Sequence, residues 1–157
     1  MKIKDILEKK GSSVITIGPQ RTVREAIQTL CMNRIGALVV TTKTGEIVGI
    51  VTQRDVLREC GERCPQTAAP AHPAETLCPE LVQNIMTKSV VIGVSEDSLD
   101  YVMGIMTKNK IRHLPVLEDG KLIGIVSIGD VVSAHLRETT YEKRMLLDYI
   151  QGVPTVE

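Results

Sequence analysis

Thr52 and Asp55 close the stretch Gly49-Ile50-Val51-Thr52-Gln53-Arg54-Asp55, and Ser127 and Asp130 close a second stretch of the same form, Gly124-Ile125-Val126-Ser127-Ile128-Gly129-Asp130. A hydroxyl three residues ahead of a carboxylate is a set of hydrogen-bonding groups. It suits either the grip on a polar ligand or the N-cap and first-turn acid of a helix, and the residue types alone leave both readings open. Catalysis is a poor fit. The chain offers no nucleophile with a credible base, no carboxylates paired in matched roles and no glycine-rich loop to cradle phosphates, so the expectation is a protein that is not an enzyme.

The agreement extends well beyond the seven residues. Val14 matches Val90, Thr22 matches Ser98, Asn33 matches Asn109, Ile35 matches Ile111 and Val40 matches Val116, each pair 76 apart. Gly45 with Gly120 and Asp55 with Asp130 are 75 apart, so the first copy holds one extra residue in the turn between Thr41 and Gly45. Length changes are tolerated in such turns, and the pattern is that of a duplicated supersecondary unit.

Each copy reads β-α-β-β-α, an α/β (α+β) fold class. Thr22-Val23-Arg24-Glu25 has the form of a capping box, and Val23, Ala26, Ile27 and Leu30 follow at helical spacing, which predicts a helix from about Val23 to Asn33. The second copy repeats it from Leu99 through Val102, Met103 and Met106. Short apolar strands follow each helix, Ala37 to Val40 and Ile47 to Val51 in the first copy, Leu114 to Leu117 and Leu122 to Val126 in the second. Thr52 and Ser127 then introduce helices starting near Arg54 and Gly129. This divides the chain into a first repeat over 1–60, a Pro-rich linker over 61–80, a second repeat over 81–137 and a C-terminal helix and tail over 138–157. Met145, Leu146, Tyr149 and Ile150 would lie on one face of that last helix.

Nineteen basic and nineteen acidic residues give zero formal net charge, without the basic patch that nucleic-acid binding needs. Three tyrosines and no Trp or Phe leave no stacking platform for bases. No window approaches the roughly 18 consecutive apolar residues of a membrane span, and Met1 to Ser13 alternates lysines with apolar residues instead of forming a signal sequence. The expectation is a soluble, cytoplasmic protein with no nucleic-acid or membrane partner.

The doubled Gly-Ile-Val-Thr/Ser-x-x-Asp, in its matched β-α-β-β-α context and with Ile111-Arg112-His113-Leu114-Pro115-Val116 opening the second hairpin, resembles a pair of cystathionine β-synthase-type (CBS) domains. Such a pair is called a Bateman module, here of the small stand-alone bacterial type. The resemblance covers roughly Ile6 to Leu136. It implies two repeats packed about a pseudo-twofold axis, a homodimer, a regulated protein partner, and binding of an adenosine-containing ligand (AMP, ADP, ATP, NAD(H) or S-adenosylmethionine) in clefts between the repeats. An adenine nucleotide would then be a regulatory ligand, with no cofactor required. A carboxylate can accept from both ribose hydroxyls while the neighbouring hydroxyl completes the grip.

Carried over by position, the resemblance implies one cleft from Ile50, Thr52, Arg54 and Asp55 with Ser89, Val90, Arg112, His113 and Pro115. The other would use Ile125, Ser127 and Asp130 with Ser13, Val14, Gly36 and Ala37. On that grouping the Asp55 cleft gathers two arginines and a histidine suited to phosphate, and the Asp130 cleft has none of them, so Asp55 marks the better phosphate site. A different use of the chain also stands: Cys60, Cys64, His72 and Cys78 have the residue types of a metal or thiol-redox site, which would make this an interaction or sensor protein with vestigial clefts. Their spacing fits no firm zinc pattern, so no metal ligand is assigned. Cys31 reads as a small, half-buried helix residue.

Overall fold

In the computed structural model the described residues are 1–63 and 80–151. They form two compact units, and these units do not coincide with the sequence repeats. Residues within Ser13–Val91 make one, here the first-repeat unit; Met1–Ser12 and the residues from Ile92 onward make the other, the second-repeat unit.

The first-repeat unit contains β1 (Thr16–Ile17), α2 (Val23–Asn33), β2 (Ala37–Thr41), β3 (Ile47–Thr52), α3 (Gln53–Arg63) and the short α4 (Val82–Ile85). Its sheet has the order β1-β2-β3, with β1 parallel and β3 antiparallel to β2. The second-repeat unit contains α1 (Ile3–Lys10), β4 (Gly93–Val94), α5 (Leu99–Asn109), β5 (His113–Glu118), β6 (Lys121–Ser127) and α6 (Ile128–Ile150), with the matching order β4-β5-β6. The β-α-β-β-α reading holds in both units.

Local chemistry explains the boundaries. Thr22 and Ser98 cap α2 and α5 through their hydroxyls, accepting from the N–H of Glu25 and of Tyr101. Both helices end on a residue in the left-handed region, Arg34 (φ 52) and Lys110 (φ 53), which turns the chain into the next strand. In the first-repeat unit, Ile17, Ala26, Leu30, Leu38, Val40, Val51, Val56 and Val82 form the core, joining all three strands to α2, α3 and α4.

Three elements differ from the sequence reading. The Pro-rich linker is expected from residue 61, yet α3 continues to Arg63, with Val56 and Cys60, one turn apart, packed on the core. The terminal helix expected from Glu138 is the continuation of the helix that starts at Ile128, with no break at 137. Met1 to Ser13 was given no helix. There Ile3, Ile6 and Leu7, at helical spacing, are buried on one face of α1.

α1 packs on β6 and α6 of the second repeat although it opens the first. Its contact is intimate: a Cβ added at Gly124 in β6 would lie 2.5 and 2.9 Å from the two methyl carbons of Leu7. Gly49 in β3 has the corresponding role, where a Cβ would meet Met86 Sδ at 2.5 Å. Outside the apolar face, α1 is tied down by Lys2 and Lys4, both on Glu96 (2.6 and 2.7 Å), and by the N-terminal ammonium on Glu138 (2.6 Å). The hydrogen bonds from Lys2 and Lys4 hold the Glu96 carboxyl down to about 2. We predict that Gly124→Ala destabilises the protein by about 1–3 kcal/mol in chemical denaturation, the usual cost of overpacking. Adding Leu7→Ala should recover part of that loss in a double-mutant cycle, because the clash is with that one side chain.

Candidate functional site

Each strand-to-helix junction ends in the same constellation. Thr52 is the last residue of β3 and Asp55 lies in the first turn of α3. The Thr52 N–H and hydroxyl donate to Asp55 Oδ2 at 2.8 and 3.0 Å, and the Asp55 N–H donates back to Thr52 Oγ1 at 3.3 Å. At the head of α6, Ser127 N–H and hydroxyl donate to Asp130 Oδ2 at 2.8 and 2.8 Å, and the Asp130 N–H returns to Ser127 Oγ at 3.2 Å. These are reciprocal caps, so the helix-capping reading is realised in both repeats. All their carboxylate contacts run through Oδ2. Capping and ligand binding therefore do not compete for the same atom, since Oδ1 takes no part in either cap.

The two junctions differ in burial and in charge. Asp55 is buried, and Arg58 Nη1 stands 3.9 Å from its Oδ1. Asp130 is half-buried, and Lys10 Nζ, at the C-terminus of α1, donates to its Oδ2 at 2.6 Å and to the Ile125 carbonyl at 3.2 Å. Burial acts to raise the Asp130 pKa, and hydrogen bonds from Lys10 and from the backbone and hydroxyl of Ser127 outweigh it, leaving the carboxyl below its ordinary value.

The strand ladders decide which expected site residues share a unit. Ala37 pairs with Thr52, and the backbone N–H of Gln53 donates to the Gly36 carbonyl at 3.0 Å. Ile50 exchanges backbone hydrogen bonds with Thr87 at 3.0 and 2.9 Å, just before Ser89 and Val90. Thus Ser13, Val14, Gly36, Ala37, Ser89 and Val90 all belong to the unit that holds Ile50, Thr52, Arg54 and Asp55. In the other unit His113 pairs with Ser127 and Pro115 with Ile125, and the Ile128 N–H donates to the Arg112 carbonyl at 2.8 Å.

This corrects the expectation that Asp130 lacks basic company. Antiparallel pairing of β5 with β6 sets His113 opposite Ser127, and α1 brings in Lys10, which the sequence reading never considered. Lys10 lies 120 residues from Asp130; the spacing of Ile3, Ile6 and Leu7 could have revealed its helix, but nothing local reveals its partner. The His113 pKa is lowered first by burial, then by Lys10 and Arg112, against the opposing pull of Asp130.

The cysteine alternative falls mostly outside the described residues, where Cys64, His72 and Cys78 all lie. Cys60 sits in α3, and Cys31 is exposed rather than half-buried. Among the described residues no group of three or more His, Cys, Asp or Glu side chains is placed to hold a metal ion, and no helix is long and apolar enough to cross a membrane.

Two β-α-β-β-α units, each with a hydroxyl–aspartate cap between its last strand and helix, define a paired-repeat class. The chain belongs to the CBS domain family, whose model matches residues 3–62 and 82–137. It is 40% identical to the CBS-domain protein ATU1752 from Agrobacterium tumefaciens, whose crystal structure superposes with a TM-score of 0.75 over 86% of this chain and 99% of that one. It is also 35% identical to the mitochondrial CBS domain-containing protein CBSX3 of Arabidopsis thaliana, over 96% of this chain and 72% of that protein. The fold is shared, at 24% identity and a TM-score of 0.73, with the CBS domain pair of MJ0100, solved with 5′-methylthioadenosine and S-adenosylmethionine; the match covers 88% of this chain and 98% of that one.

Because folding makes His113 less basic than its ordinary 6.5, the unfolded chain takes up this proton first as the pH falls. The stability tied to His113 is therefore complete above about pH 6.5 and declines as the pH drops toward the folded-state pKa. In Lys10→Met, which removes a positive neighbour, the His113 pKa should rise in an imidazole NMR titration and this decline should shrink.

Proposed function

We propose that this chain is a non-catalytic regulatory module that binds an adenosine-containing ligand, of the set AMP, ADP, ATP, NAD(H) and S-adenosylmethionine, with Asp55 and Asp130 as acceptors for ribose hydroxyls. One observation carries the reading: the same hydroxyl–aspartate cap stands at equivalent positions in both units, and in each the cap uses only one carboxylate oxygen. A vicinal diol can donate to the other, and a carboxylate acceptor makes such bonds stronger than neutral ones. Apolar residues suited to the base adjoin both caps: Ile50 and Ala37 in one unit, Ile125 and Pro115 in the other. The MJ0100 domain pair, with its two adenosine compounds, supports this chemistry for the fold.

Ligand binding would act by favouring one conformation and passing that bias to a regulated protein partner. A ligand at one hundred times its dissociation constant favours the binding-competent state by about 2.7 kcal/mol, enough to shift a modest equilibrium. Homodimerisation belongs to the same proposal. Leu136, Tyr141, Leu146 and Tyr149 along α6 are all more than half exposed, at 61, 66, 63 and 84%, and a second copy would bury such an apolar surface.

The test is calorimetric titration and thermal shift with AMP, ATP, NAD and S-adenosylmethionine on the wild type, Asp55→Asn and Asp130→Asn. At least one ligand should raise the melting temperature, and each substitution should weaken binding at its own clamp by about tenfold, the loss of a charge-assisted hydrogen bond. No shift with any of the four, or affinities indifferent to both substitutions, would sink the nucleotide reading.

A further inference from the structure

The lysine seated in one clamp, and its lack of a counterpart in the other, points to a difference in what the two clamps accept. We propose that Lys10 makes the Asp130 clamp selective for phosphorylated adenosine over neutral adenosine. This deepens the reading above and rests on it.

Lys10 Nζ contacts Asp130 Oδ2 and the Ile125 carbonyl, two of the three residues on which a ligand's grip in this unit would depend. With both Ser127 donors, three hydrogen bonds already converge on that one oxygen. A ribose that donates to Oδ1 shares the carboxylate with the ammonium on Oδ2, and the ammonium makes that carboxylate a weaker acceptor. A neutral nucleoside brings nothing to offset that loss. A ligand phosphate offers the ammonium a new anion within reach of its flexible four-carbon stem, and Arg112, in the same unit, adds positive charge. Selectivity thus arises because a phosphate gains the ammonium as a partner and a neutral nucleoside does not.

The chain contains its own control. Across the 76-residue offset that relates the repeats, Lys10 corresponds to Met86, an uncharged residue that packs over Gly49. The Asp55 clamp therefore has no lysine on its capping oxygen; Arg58 stands 3.9 Å from its Oδ1 instead. Removing the Lys10 charge leaves α1 anchored, because Ile3, Ile6 and Leu7 stay buried and the pairs to Glu96 and Glu138 are untouched.

The experiment silences the first clamp with Asp55→Asn, verifies folding by thermal melt, and titrates AMP and adenosine calorimetrically with Lys10, Lys10→Arg and Lys10→Met in that background. With Lys10, AMP should bind on the order of tenfold more tightly than adenosine. Lys10→Arg should keep the preference. Lys10→Met should tighten adenosine, weaken AMP and bring the ratio close to one. If Asp130→Asn abolishes binding of both compounds while Lys10→Met leaves their ratio unchanged, Lys10 is only a structural tie and the proposal fails with the nucleotide reading intact. If neither compound binds in an Asp130-dependent way, the nucleotide reading of this clamp fails, and the selectivity falls with it.

Discussion

Neither unit is completed by its own repeat. The β6 strand of the second repeat is covered by α1, which opens the first repeat, and the β3 strand of the first is covered by α4 and Met86, which open the second. Both approaches are so close that a Cβ at Gly124 or Gly49 would force the covering Leu7 or Met86 side chain to shift. The glycine that opens each Gly-Ile-Val-Thr/Ser-x-x-Asp motif is thus a packing requirement, and the aspartate that closes it is a capping requirement. One short motif serves two constraints six residues apart, which gives physical cause for its recurrence as a block.

The cap makes a binding role compatible with a structural one. Had both oxygens of Asp55 and Asp130 been committed to the helix N-terminus, a ligand would have to compete with the fold. Instead, backbone and hydroxyl donors converge on Oδ2. The carboxylate is held rigidly by the turn it stabilises, so little conformational freedom remains to be lost when it accepts a further bond.

Much of this was legible in the sequence because it is local. The limits of α2, the two hairpins and the hydroxyl–aspartate caps follow from periodicity and side-chain chemistry within a dozen residues. The compact units were not legible, because the segment that completes each sheet is the one that opens the other repeat. Carrying residues over by family position set no basic residue beside Asp130; the β5–β6 register sets His113 opposite Ser127, and α1 brings Lys10 to Asp130. α1 was passed over because three apolar residues among lysines look unremarkable until Gly124 supplies the surface they cover. The continuity of α6 through 137 was missed for a related reason: a boundary drawn where the repeat ends need not coincide with a helix end, and no Gly or Pro stands there to break it.

A duplicated fold starts with two equal sites, and substitution outside the shared motif is the least disruptive way to make them differ. Changing Asp55 or Asp130 would sacrifice a helix cap, and changing Gly49 or Gly124 would force a clash. Residues at the ends of the covering segments are free of both penalties. Position 10 is exposed at the last turn of α1, where a lysine is favoured by the helix dipole whatever it touches, and the fold then delivers its ammonium to Asp130. At position 86 the covering chain is packed against β3, and an apolar side chain is favoured there by burial. The asymmetry between the clamps therefore sits where the architecture exacts least for it, in the segments that finish each sheet rather than in the motif that both sheets share.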